Sequence, residues 1–114
     1  MADAALQLRP RHLRELRRLL AAYLTNEEVW AYDRRMQGTA LPPNDLALVV
    51  RHPGDLQAQQ GPAFRALKEA LHESSLPLRV ELLDWATLPP SFHRHILESH
   101  TVLHTPEHLE SARS

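Results

Sequence analysis

Two short apolar runs constrain this chain most: Val29-Trp30-Ala31-Tyr32 and Leu46-Ala47-Leu48-Val49-Val50, separated by a polar segment that ends in Pro42-Pro43-Asn44. Neither run has a helical period, both are rich in β-branched, aromatic or leucine side chains, and each reads as a core strand. Amphipathic helices flank the pair. Upstream, Pro10 sits where a first helical turn tolerates it, and Leu13, Leu16, Leu20 and Leu24, with Leu19 and Tyr23 beside them, form one apolar stripe. Downstream, Pro62 after Gly61 opens a second helix that keeps Phe64, Leu67 and Leu71 on one side and ends near Ser74 and Ser75.

The remaining elements follow the same logic. Leu78 to Trp85 predicts a third strand, with Val80, Leu82 and Asp84 on one face and Arg79, Glu81 and Leu83 on the other. Thr87 is the expected N-cap of a third helix through Phe92, Ile96 and Leu97, with Pro89 in its first turn. Thr101-Val102-Leu103 predicts a last strand, Leu6 and Leu8 a short extended start, and residues 105–114 a frayed tail. The order predicts an α/β (α+β) domain: a small mixed sheet with helices packed on one face.

At 114 residues one core is expected, and 43% apolar with 24% charged residues is ordinary globular composition. The absence of cysteine removes disulfides, thiolate metal sites and cysteine nucleophiles. No apolar run approaches the roughly 20 residues of a membrane span, and no signal-type start is present, which predicts a cytoplasmic protein without membrane contact. A net charge of −1 gives no global drive towards nucleic acid, although the first helix carries Arg9, Arg11, Arg14, Arg17 and Arg18 against Glu15 alone. A solvated face is the first reading of those arginines and a partner-binding face the second. RNA is third, because no aromatic residues interleave with them as stacking platforms.

As a unit, residues 29–50 resemble the signature of the nucleotidyltransferase superfamily: a strand, a Gly-Ser dipeptide, an arginine, a glycine, then Asp-x-Asp on the next strand. Val29–Tyr32 stands at the strand, Arg35 at the arginine, Gly38-Thr39 at the loop glycine, and Asp45-Leu46-Ala47 at Asp-x-Asp. Leu76 to Trp85 resembles the strand of the third carboxylate, placing it at Glu81, and Ser91 to Ile96 the helix that follows. The likeness runs from about residue 6 to residue 104 and is nearest to the minimal, stand-alone nucleotidyltransferases of prokaryotic toxin–antitoxin pairs. It implies a single nucleotidyltransferase-like domain over residues 1–114, a helical HEPN-family toxin as partner, ATP and magnesium as cofactors, and AMP transfer by active members.

In such a site, carboxylates at i and i+2 of a strand share one face and, with a third from a neighbouring strand, hold two divalent ions roughly 4 Å apart. Glycine admits the phosphates to the backbone and serine donates to them. Here Asp45 and Glu81 keep two carboxylates as catalytic and metal-binding remnants, whereas Ala47 cannot ligate. Asp33 replaces the glycine and Arg34 the serine, so Asp33, Arg34, Arg35 and Gly38 form an altered nucleotide-binding loop. The expected function is therefore a catalytically degenerate antitoxin or partner-binding subunit; the alternative is an active magnesium-dependent enzyme transferring AMP from ATP to a partner protein.

The plainer readings stand beside these. Asp45 also fits a polar strand entry, and Glu81 a half-exposed strand residue paired with Arg79 or Arg35. Asp84 reads as a structural carboxylate at a strand end. His93, His95, His100, His104 and His108 read as dispersed surface residues, with a zinc site as the minority alternative.

Overall fold

The computed structural model describes residues 9–32, 45–77 and 79–106, with nothing stated for the side chain of Asp45. The elements run α1 (Pro10–Tyr23), β1 (Glu28–Tyr32), β2 (Asp45–Arg51), α2 (Pro62–Glu73), β3 (Arg79–Asp84), a 3₁₀ turn (Trp85–Thr87), α3 (Pro90–Glu98) and β4 (His100–His104). Among the described residues they form one four-stranded sheet in the order β3-β2-β1-β4. β1 lies antiparallel to both β2 and β4, while β2 and β3 run parallel, with α2 as the crossover between them.

Each of the three helices starts with proline at its first turn, where the missing N–H would have no helical partner. α1 buries Leu16, Leu19 and Leu20 and closes with the Leu24 N–H donating to the Leu20 carbonyl at 2.9 Å. α2 buries Leu67 and Leu71, and the Ser74 hydroxyl donates to the Leu71 carbonyl at 2.8 Å, satisfying a terminal acceptor.

The sheet separates two clusters. On one side α1 and α2 cover Val29, Ala31, Leu46, Leu48, Val50, Leu82 and Leu103. The other side holds Trp30, Tyr32, Ala47 and Val49 with Trp85 and Ile96, and Leu83 and Leu88 at its margin. The small mixed sheet and its helix-covered face are those the sequence pattern predicts. α3, however, contributes Ile96 to the opposite cluster rather than joining α1 and α2. The reason is the pair Trp30 and Tyr32, whose large apolar surfaces need cover on that side.

Three local expectations are corrected. Trp85 leaves β3 and opens the 3₁₀ turn, where Asp84 Oδ1 accepts from the Ala86 N–H at 3.1 Å. Thr87 does not cap α3; its hydroxyl donates to the Asp84 carbonyl at 2.9 Å, and Pro89 is the N-cap residue. A residue preceding proline is driven out of the helical region, so Leu88-Pro89-Pro90 holds extended backbone up to the first residue of α3. The tail expected from Thr105 onward is packed at its start, because Pro106 is fully buried. Between Val29 and Trp30 the β1–β4 register jumps from His104 to Val102, a bulge that leaves Leu103 as the extra residue. Among the described residues no helix is long and apolar enough to cross a membrane.

Candidate active site

Strand register brings the expected carboxylate positions together. Ala47 pairs with Glu81 across β2–β3 and with Tyr32 across β1–β2, and Tyr32 pairs with His100 of β4. Residues directly opposite in a sheet share a face, so Glu81, Ala47, Tyr32 and His100 form one row across all four strands, with neighbouring strands roughly 4.8 Å apart. Asp45, two residues before Ala47 on β2, has the same parity in the pleat, and its backbone partner is Arg79. The backbone thus provides the arrangement that a shared divalent-ion site needs: two positions at i and i+2 on one strand and a third on its neighbour.

The donor set does not fill that arrangement. Ala47 is 1% exposed and sits within the cluster of Trp30, Tyr32, Val49, Trp85 and Ile96, so a methyl group stands where a metal ligand is needed. Among the described side chains no three of histidine, cysteine, aspartate or glutamate converge on a common point. A two-magnesium centre held by three carboxylates does not fit these residues. Asp33, Arg34, Arg35 and Gly38, the expected nucleotide-binding loop, lie outside the described residues.

Beneath the row the face is built from rings and one arginine. The Arg51 guanidinium lies 4.3 Å from the centre of Trp30 and 4.5 Å from that of Trp85, and the two indoles meet edge to face at 5.8 Å. Arg51 Nε stands 2.6 Å from Glu28 Oε1, with both side chains 13% exposed. The contact is an ion pair whose N–H is not aligned for a hydrogen bond. His100 stacks on Trp30 at 3.9 Å while its Nδ1–H donates to the Ile96 carbonyl at 2.8 Å. His93 stacks on Trp85 at 3.9 Å and donates through Nε2–H to the Trp85 carbonyl at 2.8 Å.

Three of the histidines, His93, His100 and His104, are therefore not dispersed surface residues as expected. His93 and His100 brace the aromatic floor, and His104 ties β4 to the end of α1 by donating from Nε2–H to the Leu24 carbonyl at 2.8 Å. Each ring nitrogen so used satisfies a backbone acceptor, which fixes the tautomer and leaves only the other nitrogen for any further role. His108 lies outside the described residues. Asp84 is structural, as read: beyond the turn it caps, its Oδ2 accepts from the Gln60 N–H at 3.0 Å and anchors the segment before α2. The sequence reading missed Tyr32 and His100 as floor residues of this row. His100 carries no signal for it, since only the placement of β4 beside β1 brings it opposite Tyr32.

A mixed sheet of this order, with two helices on one face and the row of Glu81, Ala47, Tyr32 and His100 on the other, is a nucleotidyltransferase-type α/β fold. No family model matches the chain. It is, however, 34% identical over 106 residues to the "Probable protein adenylyltransferase MntA" of Haemophilus influenzae, covering 91% of this chain and 89% of that one. The chain belongs to the MntA family of minimal nucleotidyltransferases. Among solved structures it resembles a toxin–antitoxin crystal structure with AMP-PNP, with a TM-score of 0.59 at 16% identity over 88% of this chain and 78% of the other. A mutant MntA–HpeT toxin–antitoxin structure gives a TM-score of 0.60 at 17% identity over 93% and 80% of the two chains. At those identities the likeness is one of fold.

Proposed function

We propose that this protein is the antitoxin subunit of a cytoplasmic toxin–antitoxin pair, binding a HEPN-type toxin without transferring AMP to it. The observation that carries the proposal is Ala47. In register with Glu81 and closed into an apolar cluster, it removes the middle ligand of a site that needs three. A carboxylate pair can hold one magnesium ion whose shell water and phosphate oxygens complete, but without a ligand at position 47 the second ion has no bridging carboxylate, and the nucleotide's negative charge lacks the metal charge that would offset it. Asp33 and Arg34 in the loop sequence support the same reading, because a carboxylate replaces the glycine and a guanidinium replaces the serine hydroxyl of the family motif.

A second reading is favoured by the 34% identity to a protein named as an adenylyltransferase: AMP transfer from ATP to the partner through Asp45 and Glu81. The two readings separate in cells. A HEPN-type toxin that the chain is proposed to bind is expressed with the native antitoxin or with the Asp45→Asn, Glu81→Gln double variant, and growth is scored. Under the binding proposal both antitoxins restore growth equally. If the double variant fails to protect while its folded level is unchanged, protection depends on the carboxylates and the enzyme reading replaces the proposal.

A further inference from the structure

Arg11, Arg14, Arg17 and Arg18 all stand exposed on α1. Glu15 holds Arg18 at 2.6 Å, and the other three make no ion pair among the described residues. Arg11, Arg14 and Arg17 are spaced three apart, so their stems sit about 5–6 Å from one another and form one row along the helix. Successive phosphates of a nucleic-acid strand repeat at a comparable through-space distance. Three residues fall about 60° short of a full turn, so the row drifts round α1 from its outer face towards the flank that holds Ala21 and Leu24. Its last member, Arg17, lines a groove of about 570 Å³ between α1 and β4, together with Ala21, Leu24 and His104 among others.

No ring interleaves with these arginines in sequence, but β4 brings one beside them. His104 is half-buried in the groove wall, and its Nε2–H is committed to the Leu24 carbonyl at 2.8 Å. Its Nδ1 is thereby left as an acceptor, with no partner among the described residues. The groove thus combines a ring on which a base can stack, an aliphatic floor at Ala21 and Leu24, and one bare acceptor. We infer that the arginine row and this groove bind single-stranded RNA. Its phosphates run along Arg11, Arg14 and Arg17, one base stacks on the His104 ring, and a ribose 2′-hydroxyl of the same strand donates to Nδ1. Arginine suits the first task better than lysine, because its planar fork reaches two phosphate oxygens at once, and α1 has no lysine. An acidic peptide would match the row in charge and leave the ring and the acceptor unused. α1 covers the face of the sheet opposite Ala47, so the assignment stands independently of the antitoxin reading.

The test titrates the full-length chain onto a labelled single-stranded RNA of about 12 nucleotides by fluorescence anisotropy, between about 50 mM and about 200 mM salt. The native chain is expected to bind with Kd of about 1–100 μM at the lower salt, and log affinity to fall against log salt with a slope of about 2, as for three neutralised phosphates. Combining Arg11→Gln, Arg14→Gln and Arg17→Gln is expected to weaken binding by about tenfold or more at low salt and to flatten that slope. The control combines Arg65→Gln, Lys68→Gln and Arg94→Gln, an equal change of charge at exposed positions of α2 and α3, and is expected to stay within about twofold of native. RNA is expected to bind about threefold to tenfold more tightly than DNA of the same sequence, the worth of one hydrogen bond, and His104→Phe to erase that preference with the salt slope unchanged. RNA methylated at the 2′-oxygen repeats this comparison on the native chain without altering the protein, and circular dichroism verifies the fold of every variant.

No binding of RNA by the native chain at the lower salt overturns the assignment. An equal loss in the control overturns it too, as bulk charge is then the cause. Poly-glutamate of matched length that competes as strongly as unlabelled RNA shows a general polyanion surface and overturns RNA as its occupant. DNA or 2′-methylated RNA that binds the native chain as tightly as RNA removes the role given to the groove and overturns the proposal as stated. None of these results bears on whether a toxin binds elsewhere on the molecule.

Discussion

Replacing Ala47 with aspartate asks directly whether this position is the vacant ligand site of a metal cleft. Ala47 is 1% exposed and its register partner on β3 is Glu81, so the new carboxylate enters an apolar cluster beside an existing one. At a separation of about 5 Å and an effective dielectric constant of about 20, two like charges repel by about 3 kcal/mol. Desolvation adds to this, while outward rotation of either side chain and partial protonation subtract, so a net destabilisation of about 2–4 kcal/mol is expected. For a domain of this length that corresponds to a fall in Tm of about 8–16 °C.

Thermal unfolding followed by circular dichroism in EDTA is the assay, repeated in about 10 mM magnesium or manganese. A divalent ion held by Asp45, the new aspartate and Glu81 binds the folded state alone, so Tm should recover by several degrees in the variant and stay fixed in the native chain. A variant as stable as the native chain in EDTA would refute the reasoning, because position 47 would then not be a buried site facing Glu81. The variant is still expected to show no AMP transfer, since Asp33 and Arg34 remain.

Other outcomes follow from the same structure. Arg51→Ala strands Glu28 and removes both indole contacts, and is expected to cost about 2–4 kcal/mol by urea denaturation, with Arg51→Lys recovering part of it. His104→Phe removes the donor to the Leu24 carbonyl and should cost about 1–2 kcal/mol while leaving β4 paired, seen as faster hydrogen exchange at the α1 terminus. Leu48→Ala, at a fully buried position in the middle of β2, should cost about 2–5 kcal/mol by the same denaturation. Arg18, by its hydrogen bond and charge, holds the exposed Glu15 carboxyl below its ordinary range. Whatever support α1 draws from the pair is present above the unfolded carboxylate pKa and is lost as pH falls through the lower folded value, so Glu15→Gln should leave stability at neutral pH nearly unchanged and flatten that acid limb.

Much of the fold was legible because its elements are short and clearly punctuated. Pro10 and Pro62 mark helix starts that the structure reproduces, and the leucine stripe of α1 and the run Leu46–Val50 are core as read. The parity of β3 was legible too: Val80 and Leu82 face the α1–α2 core and Leu83 the opposite cluster, which places Glu81 on the face of Ala47. What the sequence did not reveal depends on contacts between distant segments. His100 and Trp30 stack although 70 residues separate them, and nothing local to either announces it. Two consecutive prolines displaced the start of α3, a case where backbone restriction overrides the capping preference of Thr87. Arg51 was legible only as the end of a strand; its place between two indoles depends on the turn that carries Trp85 under the sheet.

The central claim, a nucleotidyltransferase fold that works by binding rather than by turnover, is tested most directly by incubating the purified chain with its toxin, magnesium and α-labelled ATP. A stable complex with no labelled toxin is expected, and label only after Ala47→Asp, Asp33→Gly and Arg34→Ser are combined, because metal charge and phosphate access act as one unit. Magnesium-dependent labelling of the toxin by the native chain, abolished by Asp45→Asn, would contradict it.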